Sequence, residues 1–181
     1  YFVASQATES IDGWAFHTAL ADLVNDPEMD ADELGTVIAQ RFHETEDSTL
    51  SVVDLGKLAA MDDALSLFAD AVMEDSNPRG EVRRQARQSQ NFDGDPNDRD
   101  LDDFMRRMTE ATDNPDILSA ASGVRAELEE VIVANYTFGE WVSDATGLSI
   151  YLPTNGPDSL YSEGSWTALT TWDEMLEAID N

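Results

Sequence analysis

Asp93, Asp95 and Asn97 alternate along the stretch Asn91-Phe92-Asp93-Gly94-Asp95-Pro96-Asn97-Asp98, a spacing of oxygen donors that could coordinate calcium. The pattern of a helix-loop-helix calcium site then breaks. Its sixth position, Asp98, is not glycine, and its twelfth, Phe104, is not glutamate. A solvated acidic loop is the better reading. The two histidines, His17 and His43, fall in separate helical patterns with no second histidine at ligand spacing, and read as surface or half-buried helix residues. No Gly-x-Ser-x-Gly elbow presents a serine nucleophile. The 181 residues contain no cysteine, which excludes disulfides, thiolate metal sites and a cysteine nucleophile within them. Arg79, Arg83, Arg84 and Arg87 concentrate four of the ten basic residues in one short run, read as a helix whose arginines pair with neighbouring carboxylates.

The charge balance limits the partners. There are 38 acidic residues against 10 basic ones, for a net charge of -28, and Lys57 is the only lysine. Such a surface repels itself at low salt, and cations screen it as the Debye length shrinks to about 3 Å at 1 M. An acidic, lysine-poor yet globular composition points to a high-salt origin. The charge argues against nucleic acid as a partner, because phosphate binding needs a basic patch. No apolar stretch is long enough to span a bilayer, and the first residues lack the basic and long apolar regions of a signal peptide. Tyr1 opens directly in a strand-like run and is read as an interior point of a longer precursor or an imposed boundary.

Elements follow from periodicity. Tyr1 to Ala4 is a short apolar run leaving the core into the polar stretch Ser5 to Ser10, as a buried strand does. Trp14, Phe16, Leu20, Leu23 and Val24 recur at helical spacings, with Asp12 placed as N-cap. A second helix runs from about Asp30 with Leu34, Val37, Ile38 and Phe42 on one face. Thr49 to Val53 fits a short strand or the lead-in to a helix. A long amphipathic helix starts near Asp54 and carries Leu58, Met61, Leu65, Phe68 and Val72. Asn91 to Asp100 reads as loop, followed by a short helix capped by Asp100. Asn114-Pro115 restarts a helix through Leu128 and Ile132, which runs into a possible strand at Val133 to Tyr136. Gly147 to Leu152 has the β-branched and aromatic content of a core strand, ended by Pro153, and a terminal helix spans Leu169 to Ile179.

The order and spacing of several of these segments resemble the back half of clostripain-like cysteine peptidases. They are Tyr1-Phe2-Val3-Ala4-Ser5 with the loop Gln6 to Ile11 and Asp12-Gly13-Trp14-Ala15-Phe16; Thr49 to Leu55; Asp100-Leu101-Asp102-Asp103-Phe104; Gly147 to Pro153; and Tyr161 with Thr170-Thr171-Trp172. Any one of these motifs is weak; five in order are strong, and they cover nearly the whole chain.

The resemblance implies an α/β, caspase-like fold: a partial, mostly parallel sheet flanked by helices. Residues 1–181 would be the C-terminal portion of that peptidase domain, with a helical insertion around 54–132. It implies that the catalytic histidine and cysteine lie upstream, so that the partner of this chain is the segment carrying them, and that this chain alone is inactive. In the family's mechanism, histidine assists a thiolate attacking a peptide carbonyl through an acyl-enzyme. Substrates would be proteins or peptides cut after a basic residue, whose side chain needs a carboxylate partner. Asp12 is the first candidate for that carboxylate and Glu9 the alternative, with Ser5 beside them as a substrate-binding residue. Asp12 also suits the N-cap of the Trp14 helix, and the two roles compete. The resemblance favours an extracellular location, calls for no cofactor other than calcium, and makes Arg79 to Arg87 a rival self-processing site. The alternative function is a non-catalytic caspase-like binding or structural domain of a halophile.

Overall fold

The computed structural model describes residues 1–9, 13–44, 48–77, 79–92 and 95–180. Strand β1 (Phe2–Ala4) pairs with β2 (Thr49–Val53), which pairs in turn with β5 (Ile132–Thr137). Both pairings are antiparallel, with Ala4 opposite Ser51 and Ser51 opposite Asn135. The mostly parallel sheet expected from the sequence is therefore corrected. Two helices, α1 (Phe16–Asn25) and α2 (Ala31–His43), connect β1 to β2. A single crossover helix returns the chain to the starting end of a sheet, whereas a helix pair delivers it to the opposite end, so the next strand runs backwards.

A second antiparallel sheet places β4 (Asp95–Asp100) between β3 (Asn91–Phe92) and β6 (Ser149–Tyr151). The loop expected over 91–100 is thus largely a hairpin. Its Asp- and Asn-rich sequence has little strand preference. It is held by pairing instead: Arg99 lies opposite Ile150, and the Leu152 N–H donates to the Asn97 carbonyl at 2.7 Å.

The helices begin where side chains cap them. Asp30 and Glu33 form a reciprocal capping box on α2. Asp54 accepts from the Gly56 N–H at 2.9 Å in a 3₁₀ turn that leads into α3 (Leu58–Glu74). After α4 (Arg79–Gln88), Asp100 caps α5 (Leu101–Ala111), and Asn114 with Pro115 starts α6 (Pro115–Val131). The chain's last helix is α7 (Trp172–Asp180). For α1 the expectation is corrected: it starts at Phe16, with Ala15 in the cap position and no side-chain cap bond.

Most of the apolar interior lies between α3, α5, α6 and α7, where Phe68, Phe104 and Trp172 meet with ring centroids 5.9–6.5 Å apart. A smaller cluster packs Ala39 and Phe42 of α2 on Leu50 and Val52 of β2. Contact there is close. A Cβ on Gly35 would come within 2.9 Å of Val52 Cγ1, so a larger residue would lift α2 off the sheet. Because side chains alternate along a strand, Thr49 and Ser51 face the other way, toward the second sheet.

Candidate functional site

β1 stops at Ala4, and the next residues are held by side chains where ladder bonds end. Ser5 Oγ lies 2.9 Å from Thr49 Oγ1 and accepts from the Ala7 N–H at 3.0 Å. The Gln6 N–H donates to Thr49 Oγ1 at 3.0 Å, and the Ser48 hydroxyl donates to the Thr8 carbonyl at 3.3 Å. Short hydroxyl side chains suit this work, since they reach main-chain groups without leaving their own strand.

Gln6 then crosses to the second sheet. Its Nε2 donates to Asp100 Oδ2 at 3.0 Å and to Ser149 Oγ at 3.1 Å, while its Oε1 accepts from the Gly147 N–H at 2.8 Å. Asp100 is completely buried. Its Oδ1 accepts from the Asp103 N–H at 2.9 Å and the Thr146 hydroxyl at 2.7 Å, and its Oδ2 accepts from the Thr146 N–H at 2.6 Å as well as from Gln6. Burial pushes the Asp100 carboxyl above its ordinary range, and the bonds from Asp103, Thr146 and Gln6 pull the other way without cancelling it. The seam closes at Gly147, whose φ is +115° and where a Cβ would meet Ser51 Cβ and Ile132 Cγ2 at 3.2 Å. There the Ser51 hydroxyl donates to the Gly147 carbonyl at 2.7 Å.

Of the residues singled out from sequence, Ser5 is part of this seam. Glu9 lies further along the same loop and accepts a hydrogen bond from the Trp14 indole N–H. The Trp14 ring packs on Phe16 and Phe42, centroids 5.6 and 6.1 Å away. Asp12 lies outside the described residues. His17 is exposed on α1, and His43 is half-buried, its ring 5.7 Å from those of both Tyr136 and Phe138. Arg83 pairs with Asp180 and Arg84 with Glu81, and all of 79–88 is helix, as the ion-pair reading of the arginine run expects. Asp93 and Gly94 of the calcium-like stretch lie outside the described residues. Among the described residues no group of three or more His, Asp or Glu is arranged to hold a metal ion, and no helix is long and apolar enough to cross a membrane.

Sequence reasoning missed Gln6, Thr146 and Ser149 altogether and saw Asp100 only as a cap. No local pattern marks Gln6, because its partners are 94, 141 and 143 residues away. Beside the seam, an apolar groove of about 790 Å³ runs from Ser149 along β6 between α3 and Trp166. Its charged lining residue is Asp62, which accepts from the Trp166 indole N–H at 2.8 Å. The whole arrangement fixes the start of the loop that leaves β1.

The family described as the clostripain family has a model that matches residues 1–179. No curated protein matches the chain.

Proposed function

The chain belongs to the clostripain family, a membership that carries a cysteine-peptidase type of function, and from that premise we propose that it is the scaffold and substrate-pocket portion of an endopeptidase cleaving after basic residues. The observation that carries the reading is a family match over 1–179 in a sequence of 181 residues without cysteine. The nucleophilic cysteine and its histidine then belong to a segment upstream of Tyr1, which is this chain's partner. That segment supplies a thiolate that attacks the peptide carbonyl and a base that takes its proton. This chain supplies the pocket.

Among the described residues β1 has a strand neighbour on one side only, and Tyr1 and Phe2 are 52% and 56% exposed. The upstream segment would extend the first sheet across that edge and complete a caspase-like fold. The loop leaving β1 would then border the cleft. Asp12 is the pocket carboxylate that pairs with the guanidinium or ammonium of the substrate. Glu9 is the alternative, although one of its oxygens already serves Trp14. Ser5 lines the base of the loop.

Co-expression of the upstream segment with this chain should yield turnover of benzoyl-arginyl p-nitroanilide, and this chain alone should yield none. Turnover by the purified chain alone, or none by the assembled pair, sinks the reading. Within the pair, Asp12→Asn should lower arginyl turnover by about two orders of magnitude with little change in stability, the loss expected when a desolvated charge pair is removed. If Glu9→Gln has that effect instead, the assignment moves to Glu9.

A further inference from the structure

We propose that Gln6 and Asp100 are positioning residues for the substrate pocket, acting as a clasp that fixes the segment leaving β1 that carries Glu9. This deepens, and rests on, the pocket reading above.

Asp100 does more than cap α5. A cap needs one carboxylate oxygen on one early N–H of the helix, and Oδ1 meets that need through Asp103. Oδ2 points elsewhere, to Thr146 and Gln6. Three of the four donors on Asp100 come from its own half of the molecule. The fourth, Gln6, is the link that neither the helix nor the second sheet requires.

Gln6, for its part, spends all three of its side-chain bonds on Asp100, Gly147 and Ser149 and none on its own strand or loop. Three residues later Glu9 is tied to Trp14, which packs on Phe42 of α2. The pocket loop therefore hangs between two anchors on opposite sides of the first sheet. The Trp14 anchor belongs to the small apolar cluster; the Gln6 anchor belongs to the polar seam. Freeing either end would let Glu9 drift, and a misplacement of about 1 Å is enough to cost large factors in rate or binding.

Two measurements decide the matter. In this chain, Gln6→Leu removes the three side-chain bonds at nearly constant size, and backbone amide exchange at Ala7, Thr8 and Glu9 should quicken about tenfold or more while α2 stays protected. Asp100→Asn should give the same local pattern, because with its amide oxygen kept on the Asp103 N–H, the Nδ2 that replaces Oδ2 cannot accept from the Thr146 N–H or from Gln6, and it serves if Gln6→Leu does not fold. Unchanged exchange in the loop, or loss of protection spread equally over α2, overturns the clasp. In the enzyme assembled with its upstream segment, Gln6→Leu should raise KM for benzoyl-arginyl p-nitroanilide about tenfold, while alkylation of the cysteine by iodoacetamide, which needs no basic-residue pocket, keeps its rate. An unmoved KM overturns the proposal, as does alkylation that slows in step. If the wild-type assembly never turns over the arginyl substrate, the pocket reading fails, and the exchange experiment still decides the clasp.

Discussion

Leu50 and Val52 on one face of β2 and Thr49 and Ser51 on the other are buried almost equally, at 0%, 0%, 1% and 3% exposure. What holds the two faces differs. On the first, α2 lies on the strand through apolar contact with Phe42, Ala39 and the close approach at Gly35. That contact is non-directional and scales with area removed from water. On the second face, the serine and threonine hydroxyls make bonds of fixed direction to Ser5, Gln6 and Gly147. Each such bond adds little net stability, yet each becomes costly when one partner is lost. The apolar face sets how firmly the strand is held; the polar face sets how the β1 exit loop and the 146–149 stretch are oriented. The β1 exit loop is held from both sides: by Gln6 on the polar face and, through Glu9 and Trp14, by the apolar cluster.

The largest effect is expected at the heart of the polar face. Asp100→Ala leaves the Thr146, Gln6 and Asp103 donors without an acceptor, and urea unfolding should show a loss of about 4 kcal/mol, in the range for breaking a buried charged network. Next comes the apolar face. Leu50→Ala should cost about 3 kcal/mol, within the usual span for a fully buried leucine. If Leu50→Ala proves the costlier by far, the polar seam contributes less than its geometry implies and the contrast between the faces breaks.

A reciprocal pair of near-isosteric changes sharpens the contrast at smaller amplitude. Thr49→Val keeps the shape but removes the hydroxyl shared by Ser5 and Gln6, for a loss of about 1–2 kcal/mol. Val52→Thr puts an unpartnered hydroxyl against α2, at a cost of about 1–3 kcal/mol. Both should destabilise although neither changes volume much. Tolerance of either would show that its face does not discriminate chemistry.

The smallest effect is a pH slope. Burial holds the Asp100 pKa above its ordinary 3.8, so the folded state binds this proton more tightly than the unfolded chain. That contribution is complete below the unfolded value and is lost as pH rises through the raised folded value. The stability of the wild-type protein minus that of Asp100→Asn should therefore shrink as pH rises above the ordinary carboxylate range. A difference that grows with pH would mean the four donors win over burial and hold the carboxylate as an anion.

The apolar face was legible in advance and the polar face was not, for a physical reason. Leu34, Ile38 and Phe42 announce α2 by their spacing, and Asp30 with Glu33 announces its start; both signals are local. Two helical patterns between Tyr1–Ala4 and Thr49–Val53 even carried the antiparallel pairing in principle, since a helix pair reverses the chain, but the family resemblance pointed to parallel strands. Residues 95–100 were invisible as a strand because pairing with β6 overrides their composition. Gln6 was invisible because every bond its side chain makes is long-range. Asp12, which has two readings from sequence, lies outside the described residues.

The pairing of β2 with β5 also dictates an order of events when the protein is made. β2 leaves the ribosome with β1 on one edge, but its other partner lies beyond the whole stretch from Val53 to Ile132. Contacts so distant in sequence require closing a long loop first, which slows their formation. In the meantime α3, α5 and α6 can pack on one another from nearer neighbours, while the open edge of β2, with Leu50 and Val52 alongside, waits unpaired. An exposed apolar strand edge is a template for other chains. The nascent protein is thus expected to be prone to aggregation from the emergence of β2 until β5 closes the edge.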